Sequence, residues 1–214
     1  MSLKYIRFFI FFLIFVLFIY LMYSQSLLSL LWFCKVSLIL LLIALLFDSD
    51  YLYSTALVSQ SIVTIIFITE VICLFIFNYS PFNLAAMYDG SEEWLISIFY
   101  HLLITGVSFF MLFKKKVFVK DAWIFSTALF FFFSFVIYFS YYTGYLAYND
   151  FFINCAGYCP NFGVITIISE FLYSLTPIPN FLINTIVIGT IFYLLSILYY
   201  RILNKKNKKK FKEK

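Results

Sequence analysis

The sequence predicts an all-α polytopic membrane protein, a bundle of six transmembrane helices with both termini in the cytosol. Three observations lead to this prediction. First, 64% of the 214 residues are hydrophobic and 12% are charged, whereas a soluble domain is nearer half apolar. Second, the apolar residues form long continuous runs, which are typical of membrane-spanning helices and not of barrel strands. Third, fourteen of the fifteen Lys and Arg residues lie in three clusters between those runs.

The basic clusters define the predicted orientation. They comprise Lys4 and Arg7 near the N-terminus, four lysines at 114–120, and eight basic residues at 201–214. Cytoplasmic loops of membrane proteins collect Lys and Arg in this way. With six spans and a cytosolic N-terminus, all three clusters fall on the cytosolic side. The two long outer loops then hold acidic residues and no Lys or Arg.

A helix needs about 20 mostly apolar residues to cross the hydrocarbon core, and six segments meet this requirement. We predict helices at Tyr5–Tyr23, Ser26–Phe47, Thr55–Phe77, Trp94–Phe113, Trp123–Tyr142 and Phe181–Tyr200. The transmembrane domain covers 1–200, and a basic cytosolic tail follows at 201–214. A further apolar stretch at 163–175 would place the basic tail outside if it crossed. We therefore interpret it as a short re-entrant or interfacial helix.

The basic tail is the feature that suggests nucleic acid. Directly after a transmembrane helix, such a tail anchors topology and contacts anionic lipid headgroups, so we expect the bilayer as partner and no nucleic acid. The sequence has no glycine-rich phosphate loop and no metal motif, so we expect no cofactor and no metal. Cys155 and Cys159 lie in an outer loop on the oxidising side. A disulfide is favoured there over zinc, which would need two more ligands.

Three ionisable residues lie inside the predicted spans: Lys35, Glu70 and His101. A charge at mid-membrane costs about 3 kcal/mol on insertion scales, and such residues usually pair inside the bundle or have a function. Helices two and four run inward and helix three runs outward. At about 1.5 Å per residue, all three residues lie roughly 10–14 Å from the outer boundary, and Cys34 lies in the same layer.

This combination is suited to nucleophilic catalysis, in which a thiol or hydroxyl gives its proton to a base that a third group orients. His101 is the chain's single histidine, and imidazole transfers protons near neutral pH. The candidate nucleophiles on helix two are Cys34 and Ser29, with Ser37 a turn further in. Lys35 would favour a thiolate or stabilise an oxyanion, whereas apolar burial would oppose ionisation of the thiol.

The same residues also allow a purely structural interpretation. A buried Lys35–Glu70 ion pair can fix helix packing. A lone intramembrane histidine such as His101 is often a hydrogen-bonded interhelical contact, and Cys34 can be a small apolar filler. The alternative function is therefore a non-enzymatic multi-pass membrane protein, either a scaffold or a small-solute carrier.

Several short segments resemble a known family, and the similarity runs loosely over most of the chain. They are Trp94-Leu95 followed by His101, Leu30-Leu31-Trp32-Phe33, the Asp48-Ser49-Asp50 turn, and Thr143-Gly144 followed by Tyr148. Together they look like segments of the androgen-induced and androgen-dependent six-span membrane proteins. That family hydrolyses fatty acid esters of hydroxy fatty acids.

The resemblance implies a lipid hydrolase that cleaves fatty-acyl esters in an endoplasmic reticulum, other endomembrane or plasma membrane, with His101 as its histidine. The family's nucleophilic threonine falls on Trp32, which cannot attack an ester, so Cys34 or Ser29 would take its place. Lys35 and Glu70 would orient the site or neutralise charge. A related group of bacterial membrane proteins and an animal acyltransferase uses a helix-borne Cys and a later His, and Leu31-Trp32-Phe33-Cys34 is similar to it. An acyltransferase therefore stays open beside the hydrolase.

Overall fold

The structure is a computed structural model that describes residues 2–24, 33–79, 91–142 and 180–204. Within these ranges the chain is all-helical, which confirms the predicted all-α class. The helices are α1 (Leu3–Ser24), α2 (Phe33–Phe47), α3 (Asp50–Phe77), α4 (Ser91–Lys115), α5 (Ala122–Tyr142) and α6 (Asn180–Leu203). The predicted helix at 163–175, the cysteines at 155 and 159, the segment at 143–148 and the tail beyond 204 lie outside the described residues.

Four of the described helices contain stretches that are long and apolar enough to cross a membrane. These stretches are Leu3–Leu21, Asp50–Phe77, Ile98–Lys115 and Thr185–Leu203, and α2 and α5 contribute the shorter apolar stretches Lys35–Phe47 and Ala122–Val136. Large apolar side chains point outward, with Phe8 on α1 and Phe75 on α3 among the most exposed. An outer surface of this kind suits lipid and not water, so the chain is a membrane-embedded protein.

Helix α3 is the centre of the bundle. It packs against α2, α4, α5 and α6, while α1 packs against α2 and α5 packs against α6. Every residue of α3 from Tyr53 to Ser61 is buried. Leu38, Leu41 and Leu45 of α2 pack into the same core. A helical stretch that is buried on all sides is surrounded by neighbouring helices and not by lipid, so the polar groups of this stretch of α3 face other helices.

Helix α3 begins at Asp50, before the predicted start at Thr55, so most of the expected loop before it is helical. Ser49 is the N-cap, and its hydroxyl accepts a hydrogen bond from the backbone N–H of Leu52 at 3.4 Å. Asp48 has a φ of 58°, a left-handed conformation that Asp tolerates better than most residues. The chain therefore reverses within two residues after Phe47, the last residue of α2.

The described basic residues outside the apolar core gather at one end of the bundle. We call it the basic end, and its residues are Lys4, Arg7, Lys114, Lys115, Lys116, Lys120 and Arg201. Arg7 of α1 and Lys115 of α4 each form an ion pair with Asp48 at 2.6 Å. Asn204, just after α6, accepts a hydrogen bond from the N–H of Phe118 at 3.0 Å and donates one to its carbonyl at 3.1 Å. These contacts join the start of α1, the α2–α3 turn, the α4–α5 loop and the end of α6.

Candidate functional site

The structure buries all three ionisable residues that were predicted inside the membrane. Lys35 on α2 is 2% exposed, Glu70 on α3 is 0% exposed and His101 on α4 is 2% exposed. The three helices pack against one another. Each of the three residues takes part in a polar, ring or electrostatic contact, so none is without a partner.

Contacts at the basic end define the level of two of these residues. Lys35 precedes Asp48 on α2 by almost four helical turns, and His101 precedes Lys115 on α4 by about four turns. Asp48 and Lys115 are themselves paired at 2.6 Å. Because α2 and α4 both run toward the basic end, a rise of about 1.5 Å per residue puts Lys35 and His101 about 20 Å from it. They therefore share one level of the bundle.

Aromatic rings hold the imidazole of His101 in place. The centroid of the Phe67 ring lies 4.4 Å from that of the imidazole, and the centroid of the Tyr100 ring lies 4.2 Å from it, with planes tilted by 29° and 28°. The hydroxyl of Thr64 donates a hydrogen bond to the backbone carbonyl of His101 at 3.2 Å. Both contacts are stacked and not edge-on, and the two nitrogens lie at the edge of the imidazole, where they can donate or accept hydrogen bonds.

Glu70 follows Phe67 on α3 by about one turn and lies further from the basic end. Side chains on a helix lean toward its N-terminus. The N-terminus of α3 is at the basic end, and that of α4 is at the opposite end, so Glu70 and His101 lean toward each other's level. The predicted layer thus holds the imidazole and the ammonium group at one level, and the carboxylate of Glu70 leans toward that level from further along α3.

The predicted nucleophiles are less completely described. Ser29 lies outside the described residues, and Cys34 is the second residue of α2 but its side chain is not described. Ser37 is fully buried at 0% exposure, and it takes part in contacts of its own. Within the described ranges, Ser37 is thus the hydroxyl of α2 that lies nearest to the level of Lys35.

Hydroxyl pairs tie α3 to three neighbouring helices, and these pairs were not predicted from the sequence. Ser59 donates to Ser126 of α5 at 3.0 Å. The two other pairs join Ser61 to Tyr199 of α6 at 2.7 Å and Thr64 to Thr105 of α4 at 2.7 Å. The available signal was the group of polar residues Ser59, Gln60, Ser61 and Thr64 within an apolar helix. In lipid, such hydrogen bonds orient helices relative to one another.

The basic end carries a compact ion-pair cluster. Lys115 pairs with Asp48 at 2.6 Å and with Asp50 at 2.7 Å, and it donates to the backbone carbonyl of Asp48 at 3.1 Å. Its ammonium group also lies 5.2 Å from the centre of the Tyr53 ring. Burial alone would raise the pKa of Asp48, but hydrogen bonds and positive charge from Lys115 and Arg7 hold that pKa below its usual value of 3.8. The cluster therefore favours ionised Asp48.

Asp48 is expected to make stability depend on pH on the acid side. Because its pKa is lower in the folded state, ionised Asp48 stabilises the fold above pH 3.8, and this stabilisation is lost as the pH falls through the folded pKa. Asp48→Asn removes the charge and keeps a residue that tolerates positive φ. We expect the variant to melt at a lower temperature than wild type near neutral pH, with the two curves converging below about pH 3.8. A difference in melting temperature between wild type and Asp48→Asn that stays the same at every pH would contradict this prediction.

Neither a search for metal-binding groups nor comparisons with known proteins assign a function to this site. In the part of the chain that the structure describes, no group of three or more His, Cys, Asp or Glu side chains is arranged to hold a metal ion. Comparisons with family models, with curated proteins and with solved structures find no match. The resemblance to six-span ester hydrolases therefore stays a prediction.

Proposed function

We propose that the protein is a membrane-embedded hydrolase that cleaves fatty-acyl esters. The observation that carries this proposal is the burial of the chain's single histidine, His101, at one level with Lys35 and on a helix packed against the one that holds the buried Glu70. That level lies about 20 Å from the basic end. A hydrocarbon core is about 30 Å thick, so the layer sits in the half of the bundle remote from the basic end, where an acyl chain can enter sideways from lipid.

The register of α2 and α4 supports Cys34 as the nucleophile. The spacing from Cys34 to Asp48 along α2 equals the spacing from His101 to Lys115 along α4. This spacing is about four helical turns and returns to nearly the same face of a helix. Helices α2 and α4 run in the same direction and meet at the Asp48–Lys115 ion pair. Positions 34 and 101 therefore lie at the same distance from that ion pair, about four turns before it. Ser29 is the alternative nucleophile.

The proposed reaction is acyl transfer in two steps. His101 takes the thiol proton of Cys34 while the sulfur attacks the ester carbonyl. The tetrahedral intermediate collapses, the C–O bond breaks, and the leaving alkoxide receives that proton from His101. A water molecule then attacks the thioester as His101 accepts one of its protons, and the proton returns to the thiolate as the fatty acid leaves. Lys35 stabilises the oxyanion, and Glu70 orients His101 or balances its charge.

The proposed orientation places the basic end in the cytosol, because Lys and Arg accumulate on that side. Both termini are then cytosolic, six helices cross the membrane, and the catalytic layer opens toward the outer leaflet. The membrane is an endomembrane, such as the endoplasmic reticulum, or the plasma membrane.

A specific observation favours the alternative, a non-enzymatic scaffold or carrier. The imidazole of His101 stacks on Phe67 and Tyr100, which is how a packing residue also behaves. In that case Lys35 and Glu70 have a structural role in the bundle. The experiment below separates the two functions.

The proposal is tested by labelling the purified protein in nanodiscs with a long-chain β-lactone, which acylates nucleophilic thiols and hydroxyls. We expect wild type to be labelled and both His101→Ala and Cys34→Ala to lose the label. Cys73→Ala is the matched control, because Cys73 is a half-buried free thiol on α3 outside the layer. It should label like wild type.

The labelling results distinguish between the candidate nucleophiles and between the two proposed functions. Loss of the label in His101→Ala alone moves the nucleophile to Ser29 or another hydroxyl. Wild type that stays unlabelled by β-lactones of both long and short acyl chain would overturn the hydrolase in favour of the non-enzymatic alternative.

A further inference from the structure

Gln60 is a buried polar side chain for which the proposed hydrolysis has no role. It lies in the middle of α3 with 0% exposure, and neither the oxygen nor the nitrogen of its amide makes a hydrogen bond. On α4, the hydroxyl of Ser108 is also fully buried and without a hydrogen bond. Buried polar groups in native proteins are nearly always satisfied, because removing them from water without a partner is unfavourable. Two such groups on helices that pack against each other therefore point to a ligand between them.

The register of α3 and α4 places Gln60 and Ser108 at one level. The two helices run antiparallel, and the hydroxyls of Thr64 and Thr105 bond each other at 2.7 Å. Gln60 is four residues before Thr64, and Ser108 is three residues after Thr105. Residues three or four apart lie on the same face of a helix. Gln60 and Ser108 therefore follow the threonine pair by one turn toward the basic end, on the facing surfaces of the two helices.

We propose that Gln60 and Ser108 bind an internal water molecule between α3 and α4. The amide of Gln60 offers two N–H donors and an acceptor oxygen, and the hydroxyl of Ser108 can donate and accept. Together they match a buried water, which makes about three hydrogen bonds. Both groups are neutral, so the site lacks the charge that would select an ion. The proposal does not depend on ester hydrolysis, since its readout requires no turnover.

The chain is well suited to a direct test, because Gln25 and Gln60 are its two glutamines. Protein labelled with ¹⁵N at the glutamine side-chain amide thus gives two side-chain signals, and Gln60→Met identifies the one from Gln60. In solid-state NMR of the protein in bilayers, we expect magnetisation from water protons to reach Nε2 of Gln60. Ser108→Ala should shift the Gln60 amide signal and remove most of that transfer.

The matched control is Ser134→Ala. Ser134 on α5 is also a buried serine without a hydrogen bond, but it does not belong to the surface shared by α3 and α4. This variant should leave the Gln60 signal and its water transfer as in wild type. Absence of water transfer to Gln60 in wild type, or transfer that Ser108→Ala leaves unchanged, would overturn the proposal.

Discussion

Replacing His101 with asparagine is expected to lower the kcat/KM for fatty-acyl ester hydrolysis by about 10²–10⁴-fold, which is the usual contribution of a general base. Asparagine keeps a planar polar side chain between the packed helices, but it cannot accept and return a proton. The measurement is the hydrolysis of a fluorogenic fatty-acyl ester by wild type and variant in nanodiscs. Melting temperatures are recorded in parallel, so that loss of activity is not confused with loss of fold.

Phe67→Leu is the control for this experiment. It removes a ring that stacks on His101 at 4.4 Å and leaves the imidazole in place. An aromatic pair contributes about 0.5–1.5 kcal/mol, so turnover should change by at most about tenfold. A folded His101→Asn variant with full turnover would contradict the role of His101 as a base. Equal losses in both variants would point to a structural role for the imidazole.

Replacing Lys115 with methionine is expected to reduce the free energy of unfolding by about 2 kcal/mol, an intermediate value between those for buried and exposed ion pairs. Breaking a buried ion pair costs about 3–5 kcal/mol, but Asp48 and Asp50 are 44% and 37% exposed, so water screens part of the interaction. The variant leaves the two carboxylates close together with Arg7 as the remaining cation in the described cluster. Unfolding in mixed micelles with increasing denaturing detergent measures the change.

Lys114→Met is a matched control, because Lys114 is the neighbouring residue but is exposed at the edge of the bundle. Its ammonium group lies 5.6 Å from the centre of the Phe110 ring, and an exposed contact of this kind contributes about 0.5–1 kcal/mol. Adding Asp48→Asn and Asp50→Asn to Lys115→Met should restore part of the lost stability, since the carboxylates no longer repel each other. Equal destabilisation by Lys114→Met and Lys115→Met would show that the ion pairs of Lys115 with Asp48 and Asp50 do not contribute specifically to stability.

The helices could be predicted from the sequence because each requires only a long apolar run. The predicted start of α3 at Thr55 was wrong, because a count of apolar residues does not show whether Tyr51 and Leu52 belong to a loop or to the helix; α3 begins at Asp50. Ser49 followed by Asp50 was a readable N-cap signal. The clustering of Lys and Arg also anticipated their meeting at one end, which the ion pair of Arg7 with Asp48 now shows for the described residues.

Which side chains meet could not be predicted from spacing along the chain. Lys114, Lys115 and Lys116 are equivalent in the sequence, but Lys115 is the one that pairs with Asp48 and Asp50, because the phase of α4 is set by its packing on α3. The common level of Lys35 and His101 followed from helix rise alone. The stacking of Phe67 on His101 required the relative rotation of two helices, which only the assembled bundle determines.

The three hydroxyl pairs of α3 have a consequence for biogenesis. Lipid tails are as apolar as leucine, so newly inserted helices gain little by hydrophobicity when they associate. Helices α4, α5 and α6 leave the ribosome after α3, and each has one hydroxyl that fits a specific site on it, at Thr64, Ser59 and Ser61 respectively. Helix α3 can therefore act as a template already seated in the bilayer. Each hydrogen bond would then favour the correct site for one helix as that helix inserts, so the order of synthesis would set the order in which the three bonds form.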